Sequence, residues 1–157
     1  MDLILWRHAE AVDLPLGQTD YELDLARELT PRGQKQAIRM ASWLDRQLPE
    51  HIKIAVSPAS RCQATALALG RKYKTNHNMG PSGSHTGLLE NSGWPDAKTP
   101  LLIIGHQPAL GQLAGQLLGL QAGDCSIRKG AVWWLRSRMR DGLMQTNLVT
   151  VQSPEFL

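Results

Sequence analysis

Short apolar runs bounded by polar residues predict the buried strands of this chain. Three runs are clear, at residues 3–6, 52–56 and 101–104. A weaker strand is predicted near residues 75–79, at the start of a stretch rich in glycine and proline that extends to residue 100. The sequence therefore predicts a sheet whose central strands are short and buried.

Apolar residues at helical spacing predict amphipathic helices between these strands. The first covers residues 31–48, where Thr30 is suited to cap the helix and a proline occupies its first position. The second runs from Pro58 to about Gly70, and the third follows Pro108. A shorter helix is predicted around residues 85–91. Every clear strand is therefore followed by a helix.

Strands that alternate with helices are typical of an α/β fold with a parallel sheet. Residues 131–135 and 145–151 flank Asp141-Gly142, which predicts an antiparallel hairpin at the sheet edge. We therefore expect a three-layer α/β fold, with helices on both faces of a mostly parallel central sheet. The length of 157 residues suits one domain that covers residues 1–157.

The polar stretch from residue 11 to residue 28 interrupts this alternation. It contains acidic residues, a proline and a glycine, and it is longer than most connections in compact domains. The sequence predicts a surface loop here. Because long loops often serve as lids, we expect this one to cover a site.

Composition restricts the function further. Hydrophobic residues make up 42% of the chain and charged residues 20%, values typical of a globular protein. The net charge of +3 comes from scattered lysines and arginines, which argues against a nucleic-acid partner. The two cysteines, Cys62 and Cys125, form no disulfide framework, and Cys62 is expected in the core. No targeting segment or membrane span is recognisable, so a cytoplasmic location and no membrane partner are expected.

The candidate chemistry lies where strands end and helices begin. Arg7 and His8 follow the first strand, Arg61 falls in the first turn of the second helix, and His106 follows the third strand. Because parallel strands end at the same edge, we expect these side chains to converge. Arginine forks and helix N-termini bind oxyanions, and a histidine can act as a nucleophile. The pattern predicts a site that binds a phosphate-like anion.

These residues carry a family resemblance. Arg7-His8-Ala9 resembles the Arg-His-Gly signature of the histidine phosphatase superfamily, with alanine in place of glycine. The stretches Arg27–Gly33, Ser57–Thr65 and Gly105–Pro108 are similar to its other motifs. The resemblance covers nearly the whole chain and implies a phosphoglycerate-mutase-like fold. The short length of the chain and the sequence of residues 129–135 resemble those of the SixA branch, the phosphohistidine phosphatases.

The resemblance implies a mechanism and partners. His8 would form a phosphohistidine intermediate, while Arg7, Arg61 and His106 hold the phosphoryl oxygens. Arg27 either approaches the phosphate or orders the loop. No metal or other cofactor is implied. The expected partner is a phosphorylated protein, such as a histidine phosphotransfer domain, or a small phosphorylated metabolite. Selectivity is expected to reside in residues 75–98.

Two other functions remain open at this point. A phosphomonoesterase for small metabolites needs a general acid for its alkoxide leaving group, and Glu90 is the candidate. The SixA branch generally lacks an acid there, which suits an imidazole leaving group. A non-catalytic phosphate-binding module is the second alternative, although binding alone does not require a nucleophile such as His8. A mutase is less favoured, because the chain is short.

Overall fold

A computed structural model describes residues 1–120 and 125–157, and a six-stranded mixed sheet forms its centre. The order of the strands across the sheet is β3-β2-β4-β1-β5-β6. The strands are β1 (Asp2–Arg7), β2 (Lys53–Val56), β3 (Lys74–Thr75), β4 (Leu101–Gly105), β5 (Val132–Arg140) and β6 (Leu143–Gln152).

Strand pairing confirms the predicted mixture of directions. β4 pairs in parallel with β1 and β2, and β2 pairs in parallel with β3. β5 is antiparallel to both β1 and β6, so the two C-terminal strands form the predicted hairpin. Its turn is Asp141-Gly142, where both residues have positive φ angles of 50° and 76°. The hairpin strands are longer than predicted because polar residues near the turn continue the ladder.

Five α-helices connect the described strands. Helix α2 agrees with the prediction: Oγ1 of Thr30 accepts a hydrogen bond from the backbone N–H of Gly33 at 2.9 Å. Helix α3 begins later than predicted, because Ala59 keeps an extended backbone and forms its N-cap. The helices are α1 (Tyr21–Leu25), α2 (Pro31–Gln47), α3 (Ser60–Leu69), α4 (His85–Ser92) and α5 (Ala109–Leu117).

The strand predicted near residues 75–79 is shorter and earlier than expected. β3 ends at Thr75, and residues 77–79 form a 3₁₀ turn. The side chain of Asn76 accepts a hydrogen bond from the N–H of Asn78 at 3.0 Å, which favours the turn over an extended strand.

Helices cover both faces of the sheet, in agreement with the three-layer prediction. Side chains of β1 alternate between the faces: Trp6 packs with α2 and α3, whereas Leu5 packs on the opposite face with Leu110 of α5. All three side chains are fully buried. The two apolar cores therefore fix the central strands on both sides, which holds their carboxyl ends in register.

The segment between β1 and α2 is more ordered than the predicted loop. It contains α1, whose N-cap Asp20 accepts a hydrogen bond from the N–H of Leu23 at 3.0 Å. Ala11 and Leu29 close the base of this segment by an isolated antiparallel bridge. Among the helices of the described residues, none combines the length and apolar character needed to cross a membrane.

Candidate active site

The carboxyl ends of β1, β2 and β4 meet at one edge of the sheet. Arg7 is in register with Gly105, and the N–H of His8 donates to the carbonyl oxygen of Gly105 at 3.1 Å. The N–H of Ser57 donates to the carbonyl oxygen of Ile104, also at 3.1 Å. These main-chain bonds bring together the three strand ends that carry the predicted site residues.

His8 is buried and has one nitrogen free of a proton. Its Nδ1 lies 2.8 Å from the carbonyl oxygen of Ala9, and because a carbonyl only accepts, Nδ1 must carry the hydrogen. Nε2 then has a lone pair, which accepts a hydrogen bond from Nε of Arg61 at 3.3 Å. Thr65 contacts both residues that bond to the His8 ring. Its Oγ1 accepts a hydrogen bond from the N–H of Ala9 and donates one to the carbonyl oxygen of Arg61.

His106 faces His8, with ring centroids 5.3 Å apart. Its Nδ1 lies 3.3 Å from Nη2 of Arg61, so it accepts that hydrogen bond. Its Nε2 lies 2.7 Å from Oγ of Ser57 and therefore donates to this hydroxyl. Ser57 is fully buried, and its role in fixing the ring was not predicted, although it belongs to the Ser-Pro motif.

Burial keeps both histidines neutral. Desolvation lowers the pKa of His8 to about 3, outweighing the upward effect of the hydrogen bond to Ala9. Desolvation, and then the positive charge of Arg61, lower the pKa of His106 to about 3. Burial also raises the pKa of the Cys62 thiol to about 12, which fits its predicted place in the core and gives no thiolate at neutral pH.

Two arginines surround the neutral rings. Arg61 is 3% exposed, and burial together with the charge of Arg61 lowers the pKa of Arg7. Nη1 of Arg7 donates to the carbonyl oxygen of Ile127 at 2.8 Å, whereas its buried Nε has no hydrogen-bond partner among the described residues. An oxyanion beside this Nε would satisfy it and offset the repulsion between the two guanidinium groups.

Arg27 makes its contacts within the segment that follows β1. Its Nε donates to the carbonyl oxygen of Val12 at 2.6 Å, and its guanidinium pairs with the carboxylates of Asp24 and Asp13 at 3.0 and 3.4 Å. Of the two predicted roles for Arg27, these contacts support the ordering of the loop.

Asp24 links that segment to the site and was missed in the sequence. Its Oδ2 lies 3.1 Å from Nη2 of Arg61, and its carbonyl oxygen accepts from Nη1 of Arg61 at 2.6 Å. The only signal in the sequence was its position three residues before Arg27. The predicted lid therefore contacts Arg61 of the site through Asp24.

Glu90, the alternative general acid, lies exposed on α4. Leu88 of the same helix lines a small cleft beside His106. Glu90 is not among the described residues that line this cleft. The lining residues are Met79, Gly80, Gly83, Leu88, Gly105, His106 and Ala109. Part of the region predicted to set selectivity thus borders the site.

The remaining histidines lie apart from this constellation. His51 and His77 are exposed, and Nδ1 of His85 lies 3.1 Å from Oε1 of Gln112. Within residues 1–120 and 125–157, no group of three or more His, Cys, Asp or Glu side chains is arranged to hold a metal ion.

Comparisons with known proteins agree with this geometry. An uncharacterized protein of Picosynechococcus sp. is 33% identical over 87% of this chain and 86% of its own. A phosphohistidine phosphatase SixA homolog of Haemophilus influenzae is 28% identical over 76% of this chain and 78% of its own. The protein histidine phosphatase SixA complexed with tungstate has the same fold, with a TM-score of 0.73, 23% identity and 99% of both chains covered.

These similarities confirm the predicted resemblance, including that to SixA proteins. The sequence model described as histidine phosphatase superfamily (branch 1) matches residues 3–81, which include Arg7, His8 and Arg61. The chain therefore belongs to the histidine phosphatase superfamily, branch 1.

Proposed function

We propose that this chain is a metal-independent phosphatase that removes phosphate from phosphohistidine in a protein, through a phosphorylated His8. The observation that carries the proposal is the state of His8: a buried, neutral imidazole whose unprotonated Nε2 lies among Arg61, Arg7 and His106. Nucleophilic attack on phosphorus requires a neutral nitrogen that carries a lone pair instead of a proton. Membership of the family supports the coarser activity, a phosphatase.

The first step joins Nε2 of His8 to phosphorus as the bond from phosphorus to the leaving nitrogen breaks. The leaving nitrogen keeps the electron pair of that bond, and the imidazole departs neutral when its other ring nitrogen carries a proton. The hydrogen bond from Nδ1 to Ala9 supports the attack, because it offsets the positive charge that grows on the ring. Arg7 and Arg61 would hold the phosphoryl oxygens with forked N–H donors. Water then attacks phosphorus, and the bond to Nε2 breaks, which restores His8 and releases phosphate.

The role of His106 requires a proton that its resting state lacks. Nδ1 accepts a hydrogen bond from Arg61, so a phosphoryl group held by Arg61 would lie on this side of the ring. A dianionic ligand would raise the pKa of the buried ring, so that His106 can donate to a phosphoryl oxygen. Ser57 accommodates this change because its Oγ accepts from Nε2–H in either protonation state.

The surroundings of the site favour phosphohistidine over an ester. An imidazole leaving group needs less protonation than an alkoxide. The side chain of Glu90 is exposed, and its carboxylate makes no hydrogen bond or ion pair with the residues that the structure describes. The cationic donors come from arginine side chains, so the proposed steps need no metal.

The test compares rates on a phosphohistidine protein and on a phosphate monoester, without added metal, for the wild type and His8→Ala. The exposed His51→Ala variant is the matched control. We expect a strong preference for phosphohistidine that His8→Ala abolishes and His51→Ala retains. Phosphorylated His8, trapped under alkaline denaturing conditions that preserve phosphohistidine, is the second readout.

The other outcomes overturn the proposal in distinct ways. Equal or faster ester hydrolysis would indicate a metabolite phosphatase. Tungstate binding without turnover of either substrate would indicate a phosphate-binding module. Full activity of His8→Ala would exclude His8 as the nucleophile.

A further inference from the structure

Asp24 occupies an unexpected position for an acidic residue, beside the arginine that is expected to bind the phosphoryl group. Its Oδ2 lies 3.1 Å from Nη2 of Arg61, and its Oδ1 lies 3.0 Å from Nη1 of Arg27. The Asp24 side chain is 25% exposed, whereas the Arg61 side chain is 4% exposed. A carboxylate on the exposed segment is thus paired with a buried cation of the site.

The protein already engages most of the Arg61 donors. A guanidinium has five N–H groups. On Arg61, Nε donates to His8, Nη2 to His106 and to the Asp24 carboxylate, and Nη1 to the Asp24 carbonyl oxygen. One N–H group is left over, so a phosphoryl group that binds Arg61 through two or more N–H groups must replace some of these partners. Among the described residues, Asp24 is the anion paired with Arg61, so it is the partner that a second anion displaces most readily.

The charges around the site also indicate that Asp24 and a phosphoryl group compete for Arg61. Arg27 contacts the Asp24 carboxylate, and Arg61 contacts the neutral ring of His8. Arg7 lies near enough to Arg61 for the two positive charges to repel each other. Burial raises the pKa of Asp24, but hydrogen bonds and charges of Arg27 and Arg61 more than offset this and hold it below its usual value. Asp24 is therefore ionised at neutral pH, and it would repel a phosphoryl dianion.

We propose that Asp24 acts through Arg61 as a built-in competitor of the phosphoryl group, which weakens the binding of oxyanions and speeds the release of phosphate. This inference rests on the proposed phosphatase function for its role in turnover, but the competition itself concerns only anion binding. Asp24 is a positioning residue in this scheme: it turns the guanidinium of Arg61 towards His8 and yields to the substrate.

A purely structural role of Asp24 predicts the opposite sign. If Asp24 only held Arg61 in place, its loss would weaken oxyanion binding. If it competes, the uncharged Asp24→Asn variant binds more tightly, because Asn retains an oxygen acceptor and the main-chain contact but lacks the charge. We expect about tenfold tighter binding from the removal of one negative charge beside the ligand.

The experiment measures the dissociation constants of tungstate and inorganic phosphate by calorimetry, which does not depend on turnover. Asp24→Asn should bind both more tightly than the wild type, and Asp24→Glu, which keeps the charge, should remain near the wild type. The matched control is Asp45→Asn, which removes a carboxylate paired with Arg71 on the exposed surface, at 2.8 Å, and should change neither constant.

The outcomes separate this inference from the proposed function. Tighter binding by Asp24→Asn together with an unchanged Asp24→Glu supports competition even if no phosphatase substrate is found. Weaker binding by Asp24→Asn overturns it, even if the wild type hydrolyses phosphohistidine. Tighter binding by both variants also overturns it, because the charge would then not be the cause. Where turnover is measurable, Asp24→Asn should show stronger inhibition by phosphate.

Discussion

Arg61 donates a hydrogen bond from its Nε to Nε2 of His8, across 3.3 Å. The arginine thereby contacts the nitrogen that is proposed to attack phosphorus. Attack on a phosphoryl group held by Arg61 requires this contact to break, because the lone pair of His8 is then available for phosphorus. Binding of the anion and exposure of the nucleophile are therefore coupled through one guanidinium group.

Arg61→Lys should separate charge from geometry at this position. Lysine keeps the positive charge but cannot contact His8, His106 and a phosphoryl oxygen through one planar fork. We expect kcat/KM to fall by at least about 100-fold. The control is Arg71→Lys, on the exposed ion pair with Asp45, which should leave kcat/KM unchanged. Near-normal kinetics of Arg61→Lys on a phosphorylated substrate would show that the fork is not required.

The sequence predicts the central part of this site because its determinants are local. Apolar runs mark β1 and β4, and residues at the ends of parallel strands must meet at one edge. That rule is sufficient to bring Arg7, His8 and His106 together. The strand-to-helix order after β2 adds Arg61.

Other parts of the site depend on contacts between distant residues and were not predictable. Helix α1 is only five residues long and buries none of them, so it leaves no apolar period in the sequence. The pairing of Asp24 with Arg61 joins residues 37 positions apart. Similarly, only the fold reveals that the hydroxyl of Ser57 contacts His106.

The buried histidines should make stability depend on pH. In the unfolded chain both residues have the ordinary pKa of 6.5, whereas folding lowers the pKa of His8 and His106 to about 3. As the pH falls from 6.5 towards 3, the unfolded state binds more protons, so stability is lost. Each histidine should cost about 2 kcal/mol of unfolding free energy between pH 7 and pH 5.

Urea unfolding at pH 7 and pH 5 tests this expectation. His106→Asn should reduce the difference between the two pH values by about 2 kcal/mol, whatever its effect on stability at pH 7. His51→Asn, at an exposed position, should leave the difference unchanged. An identical pH dependence for all three proteins would mean that His106 is not buried in its neutral form.

Glu90→Gln tests the assignment of the leaving group. Because Glu90 is exposed on α4, we expect the substitution to leave the rates on a phosphohistidine protein and on a monoester within about twofold of the wild type. Glu22→Gln, also an exposed carboxylate but on α1, is a suitable control. A large loss confined to ester hydrolysis would assign the general acid to Glu90 and favour a metabolite phosphatase.

Gly33→Ala should destabilise the contact between α2 and the chain that follows His8. A Cβ at Gly33, in the first turn of α2, would lie 1.9 Å from the carbonyl oxygen of Glu10, a backbone atom that cannot rotate away. That carbonyl also accepts the N–H of Thr30 at 3.0 Å, so the clash would separate α2 from the chain that follows His8. We expect a loss of about 3 kcal/mol or more in unfolding free energy, together with reduced activity.

Gly87→Ala provides the contrast within a helix. The nearest atom to a Cβ at Gly87 is Oγ of Ser84 at 3.4 Å, and Gly87 lies inside α4. Alanine should therefore be neutral or stabilise by up to about 1 kcal/mol, because it reduces the entropy of the unfolded chain. Chemical denaturation of both variants measures the difference. Equal stabilities would mean that α2 can move away from Glu10 at no cost, so that the glycine at the end of the Arg27–Gly33 stretch serves another purpose.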